Sequence, residues 1–226
     1  MKWAFIPNRN YQQLEEVSNE LLIESSGIEI AVVHAPYGRG KSIASQHLIT
    51  MNGNAVYVYF EPRFSIAALV REVAFKIGGT RPRSTQSCVD LIQEGTARQR
   101  RILLIDEADQ MSLKHLNQLR AFHDLHGMPI ILIGEDSLLS KISNEGRLMS
   151  RVRRILKFEP VSQADITIFY RKALSLTLIP EHTTKLLRHS NGDFRKVIVD
   201  AAKAERIMKA NGLKGINDAV VSEVCK

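Results

Sequence analysis

Two kinds of hydrophobic pattern divide the first two thirds of the chain. Short apolar stretches at 28–33, 55–60, 102–105 and 129–133 have strand length and are rich in β-branched residues, as strands buried on both faces are. The stretches at 11–24, 43–50, 65–77, 88–98 and 113–125 instead carry apolar residues at helical spacing. In the first of these they are Leu14, Val17, Leu21 and Leu22. Ser65 is placed to cap the third. Residues 78–84, GGTRPRS, read as a loop. Strands alternating with helices predict an α/β fold, a parallel sheet sandwiched by helices.

After Phe158 the pattern changes. Residues 163–177, 181–189, 193–209 and 216–224 all read as helices, and no strand candidate remains. The chain is therefore expected to divide near Glu159 and Pro160, into an α/β core over 1–158 and a small all-helical domain over 159–226.

Charge adds a partner class. The 226 residues carry a formal net charge of +7 and a pI near 9.5, which favours a polyanionic partner, most simply nucleic acid. Cys88 and Cys225 have no metal-ligand spacing. No apolar run reaches the roughly 18 residues that span a bilayer, and the first seven residues do not read as a signal peptide. A cytoplasmic protein without membrane attachment is the expectation.

The candidate chemistry lies at two strand ends. Ala35-Pro36-Tyr37-Gly38-Arg39-Gly40-Lys41-Ser42 joins the strand at 28–33 to the helix that Ile43 opens, the context a phosphate-binding P-loop requires. Gly38 and Gly40 let successive N–H groups turn toward phosphate oxygens, and the helix N-terminus adds partial positive charge. Lys41 is placed to reach the β- and γ-phosphates and Ser42 to ligate Mg²⁺. Ala35 stands where the motif usually has its first glycine. The strand at 102–105 ends in Asp106-Glu107-Ala108-Asp109. An acid at a strand's carboxyl end faces the ligand crevice of an open parallel sheet. Asp106 is the expected Mg²⁺ ligand, and Glu107 the expected base that orients and polarises water at the γ-phosphate. The pair points to an enzyme hydrolysing ATP with Mg²⁺. His34 reads as a packed strand-end residue.

Beyond these motifs the chain resembles the AAA+ ATPases. Residues 129–134, PIILIG, look like the strand bearing sensor 1, with Glu135 or Asp136 at its end. Arg147-Leu148-Met149-Ser150-Arg151-Val152 resembles the arginine-finger box, and the Ser-Arg-Val form favours Arg151 over Arg147. Gly192-Asp193-Phe194-Arg195 looks like sensor 2, and the helical tail like the AAA+ lid. The resemblance implies ATP-Mg²⁺ between core and lid, with Arg195 on the phosphates in cis and Arg151 completing a neighbour's site. ATP would then hold an oligomer together, and hydrolysis would loosen it.

With the opening Phe5-Ile6-Pro7-Asn8-Arg9-Asn10, the pattern is similar to the group of the phage Mu B transposition protein, TnsC and IstB. That implies ATP-dependent rings or helical filaments on double-stranded DNA, bound without sequence preference, which present target DNA to a transposase. Arg63, Arg71, Arg81, Arg83, Arg98, Arg100, Arg101, Lys114 and His115 are the candidate DNA contacts. Replication-initiator or helicase-loader ATPases are the alternative. A secretion ATPase would bring a membrane or peptidoglycan-binding segment. A nucleotide switch without turnover fits poorly with Lys41, Asp106 and Glu107 all present.

Overall fold

A computed structural model describes residues 1, 2, 4–23 and 27–226. Glu24, the last residue of the first expected helix, lies outside the described residues, as does Trp3. The elements run α1 (Arg9–Ile23), β1 (Ile30–His34), α2 (Lys41–Met51), β2 (Ala55–Tyr59), α3 (Ile66–Gly78), α4 (Thr85–Arg98), β3 (Ile102–Asp106), α5 (Leu113–His126) and β4 (Ile130–Gly134). They continue with α6 (Asp136–Ser143), α7 (Gly146–Met149), β5 (Val152–Lys157), α8 (Gln163–Leu174), α9 (Pro180–Ser190), α10 (Phe194–Ala210) and α11 (Asp218–Val224).

Contacts sort the chain into two compact units. One comprises 11–36 and 41–157, the other 1–10, 37–40 and 158–226. The first is built on a five-stranded sheet in the order β2-β3-β4-β1-β5, with every neighbour pair parallel. β1, β3 and β4 are buried at every position, as strands covered on both faces must be. Ile30, Val32, Leu103, Ile105, Ile130 and Leu132 form one core with Leu69 and Val73 of α3, Ile92 of α4, and Leu116 and Leu119 of α5. The alternate residues Ala31, Val33, Leu104, Ile131 and Ile133 are equally buried, so the other face is covered too.

Several helix boundaries follow from their caps. Ser65 Oγ accepts the Ala68 N–H at 3.2 Å, the expected start of α3. Ser84 caps α4 in the same way, through the Ser87 N–H, so that helix begins before Cys88. α8 stops at Leu174, short of Thr177, because Ser175 turns into the left-handed region at φ 58°.

β5 was not expected. The basic stretch 147–157 reads as polar, yet Val152–Lys157 forms an edge strand along β1. Its Leu156 is buried, while Arg154, Ile155 and Lys157 face solvent. An edge strand has one partner and needs little apolar surface, so periodicity does not reveal it.

The other unit is helical. Ile166, Phe169 and Tyr170 of α8, Leu186 of α9, Val197 and Ala201 of α10 and Val221 of α11 make its core. Ile6 from the lead-in is buried in it. The Lys2 N–H donates to Ala173 O at 3.0 Å. Asn10 clamps the Glu159 backbone from both sides, with Nδ2 to O at 2.9 Å and N–H to Oδ1 at 3.0 Å.

Candidate active site

β1 and β3 both deliver their motifs at the carboxyl edge of the sheet, because all five strands run the same way. Ala35 is buried, and its N–H reaches Gly134 O at 3.3 Å. Lys41 opens α2, followed by Ser42 and the half-buried Ile43. Lys41 Nζ donates to Ala35 O at 2.6 Å and Pro36 O at 3.1 Å, curling back over the loop's own carbonyls. Burial holds its ammonium below the ordinary lysine range, opposed by the fields of Glu135, Asp106, Asp109 and Glu107, in that order.

Asp106, 1% exposed, has a hydrogen bond on each carboxylate oxygen. Oδ1 accepts the Glu107 N–H at 3.0 Å, and Oδ2 accepts the Tyr57 hydroxyl at 2.7 Å. Glu107 is half-exposed, takes Gln110 Nε2 on Oε2 at 2.9 Å, and sits in the left-handed region at φ 57° and ψ 32°. A non-glycine residue there is strained.

At the end of β4 the two sensor-1 candidates diverge. Glu135 supplies the strongest charge acting on Lys41, and its own N–H bonds Asp109 Oδ1 at 3.2 Å. Asp136 turns to His34, its Oδ1 2.7 Å from Nδ1. His34 is thus a packed residue held by a carboxylate.

Arg147 lies exposed in α7. Arg151 follows that helix, and its Nε bonds Asp124 Oδ1 at 2.8 Å. The Arg151 carbonyl accepts the Ile30 N–H at 3.1 Å, which puts it at the amino end of β1. The P-loop leaves the carboxyl end. Four strand steps of about 3.3 Å separate the ends of β1, roughly 13 Å, so Arg151 is far from its own subunit's P-loop. It borders a cleft of about 270 Å³ with Gly27, Glu29, His123, Asp124 and Gly127.

The crest of the P-loop, Tyr37, Gly38, Arg39 and Gly40, belongs with the helical unit. Gly38 and Gly40 take φ values of 77° and 84°, the left-handed turn that glycine permits. The Phe194 N–H donates to Gly38 O at 2.8 Å, and Arg39 Nη1 to Asn191 O at 3.1 Å. Asp193 caps α10 through the Arg195 N–H at 2.7 Å and the Lys196 N–H at 3.4 Å. Arg195 itself is exposed on the first turn of α10. Residues 35–43 are therefore divided between the units, 35–36 and 41–43 in one and 37–40 in the other.

The structure spreads the nine candidate DNA contacts over both sheet edges. Arg98, Arg100 and Arg101 precede β3 at the amino edge, away from the crevice. Arg63 follows β2, and Lys114 and His115 follow β3, at the carboxyl edge. Several already have partners. Arg100 contacts Glu29 at 3.7 Å, Arg81 pairs with Glu72 at 3.0 Å and lies over the Phe75 ring, and Arg98 bonds Glu94. His115 completes the α5 capping box. Arg71, Arg83 and Lys114 keep exposed side chains.

Sequence reasoning missed Tyr57. The alternation in AVYVYF was visible, but the register that aims this side chain at Asp106 was not. Tyr57 pairs with Leu104, which leaves Asp106 two residues along on the same face.

Comparisons place these features. A potential ATP-binding protein of Staphylococcus aureus is 30% identical over 129 residues, 53% of this chain and 48% of its own length. The Mu-like prophage FluMu DNA transposition protein B of Haemophilus influenzae is 28% identical over 145 residues, 60% of this chain and 50% of its own. The chain thus spans about half the length of the curated relatives it matches. Among solved structures, Aeropyrum pernix ORC2 in its ADPNP–ADP complexes superposes with a TM-score of 0.70, at 12% identity over 98% of this chain and 68% of that one. Aeropyrum pernix ORC1 in complex with DNA gives 0.65, at 16% identity over 99% and 65%. Identities this low establish the fold. No helix among the described residues is long and apolar enough to cross a membrane. The AAA domain model matches residues 25–142, more than half of the chain, so this protein belongs to the AAA domain family.

Proposed function

We propose that this protein is an ATPase that uses ATP with Mg²⁺, binds duplex DNA without sequence preference, oligomerises on it with ATP, and activates or targets a transposase. The similarity to the Mu-like transposition protein B carries the reading. The +7 charge and the solvent-facing Arg71, Arg83 and Lys114 support the DNA part.

The residues divide the work as follows. Lys41 and the N–H groups of the P-loop bind phosphate oxygens, with Arg195 a further cation for them. Ser42 and Asp106 would hold Mg²⁺, which neutralises charge on the transferring phosphoryl group. The donor set suits a hard cation, a hydroxyl and a carboxylate whose two oxygens are both oriented. Glu107 takes the proton of the attacking water, and Glu135, the acid nearest in field to Lys41, is the sensor-1 candidate.

Arg151 acts on a neighbour. Its position at the amino end of β1 supports this, since it is remote from its own P-loop. The pair it makes with Asp124 is about a third exposed. Such pairs are worth about 0–1 kcal/mol, so exchange for a partner's γ-phosphate costs little. On this reading residues 1–158 are the nucleotide-binding core and residues 159–226 the lid.

Electron microscopy with duplex DNA plus ATP, ADP or no nucleotide tests this. Rings or filaments are expected with ATP alone. For about five phosphates neutralised per protomer, log K falls with log salt at a slope of roughly −4 to −5. Binding that stays flat between low and moderate salt would count against a phosphate-dominated interface. The fold likeness to DNA-bound ORC1 favours a second reading, a replication-initiator or helicase-loader ATPase. Stimulation of strand transfer by a transposase separates the two.

A further inference from the structure

The geometry points to Tyr57 as the residue that positions the Mg²⁺-side carboxylate. This rests on Asp106 being that carboxylate, as proposed above. Tyr57 stands on β2, which among the described residues pairs only with β3. Its hydroxyl donates to Asp106 Oδ2 at 2.7 Å, and the Gln46 side chain of α2 lies beside it.

The opposite oxygen, Oδ1, is fixed by the Glu107 N–H at 3.0 Å. Two donors on two oxygens leave the carboxylate a single orientation about its terminal torsion. A carboxylate torsion is otherwise broad, and an Asp106 free to rotate would present its lone pairs to the metal only part of the time. Gln46 lies one helical turn after Ser42 on α2, which brings the P-loop helix beside the Tyr57 hydroxyl. Tyr57 touches neither metal nor nucleotide in this role; it acts through Asp106. Loss of comparable outer partners weakens metal affinity about 10- to 100-fold.

The test is Tyr57→Phe, which removes one oxygen and keeps the ring. Affinity for a fluorescent ATP analogue is measured in EDTA and across a Mg²⁺ titration. Affinity in EDTA should stay within about twofold of the parent. The Mg²⁺ concentration for half-maximal tightening should rise by about tenfold or more. Gln46→Ala, at an exposed position, should shift the same midpoint in the same direction by a smaller factor. An unchanged midpoint in Tyr57→Phe would overturn the assignment and leave the residue a packing group. If Tyr57→Phe fails to fold, an unchanged midpoint in Gln46→Ala overturns it instead. If the parent itself shows no Mg²⁺ dependence, the fault lies with Asp106 as the metal-side acid.

Discussion

A methyl group at Gly38 tests how tightly the P-loop crest is held to α10. A Cβ built there lies 2.3 to 2.4 Å from three atoms of the Asp193 carboxylate. That carboxylate is not free to swing, because its Oδ1 caps the first turn of α10 through Arg195 N–H and Lys196 N–H. Gly38→Ala therefore meets three costs. The first is backbone: at φ 77° an alanine gives up about 1–2 kcal/mol. The second is displacement of the cap, about 0.5–2 kcal/mol. Weakening the Phe194 N–H bond to Gly38 O adds about 0.5–1.5 kcal/mol. The total is about 2–5.5 kcal/mol. Gly40→Ala is the control: its φ is 84°, yet its added Cβ has nothing within 4 Å, so it should cost only the backbone part. Urea unfolding followed by circular dichroism reads both, provided the slopes agree. A double variant, Gly38→Ala with Asp193→Ala, should lose less than the sum of the single changes, since one methyl and one carboxylate compete for the same space. Equal losses for the two glycine variants, with strict additivity, would refute the argument.

Two further predictions concern turnover. Lys41→Ala should abolish ATP binding, whereas Glu107→Gln should bind ATP with turnover reduced by about 10²-fold or more, as loss of a general base implies; equilibrium binding and phosphate release measure the two. Arg151→Ala should bind ATP nearly normally but lose about 10³- to 10⁵-fold in hydrolysis, and mixing it with Lys41→Ala on DNA should recover part of the activity that neither has alone. A mixture that stays inactive while both variants fold and co-assemble would move the finger to Arg147.

The sheet was readable because its central strands are uniformly apolar. β1, β3 and β4 need partners on both sides and both faces, and only runs such as Ile102-Leu103-Leu104-Ile105 supply that. β5 escaped because an edge strand tolerates Arg153 and Arg154, whose Nε atoms hold Glu20 at 2.7 and 2.8 Å. α6 and α7 are too short to establish a period. At the site, the P-loop and the acids after β3 were legible as local motifs. Tyr57 was not, because its role arises from strand register. Nor was the pairing of Arg151 with Asp124, which links residues 27 positions apart. The seating of Ile6 in the helical core was equally hidden, since one isoleucine before a proline carries no pattern.

The left-handed backbone at Glu107 has an evolutionary consequence. A glutamate at φ 57° gives up about 1–2 kcal/mol that glycine would not, and asparagine would lose less of it. Under selection for thermal endurance alone, position 107 should drift toward Gly or Asn, and the heat-resistant descendants would bind nucleotide and fail to consume it. With Glu107 as the proposed base, only selection for consumption keeps a carboxylate there, so endurance and work pull this one position in opposite directions.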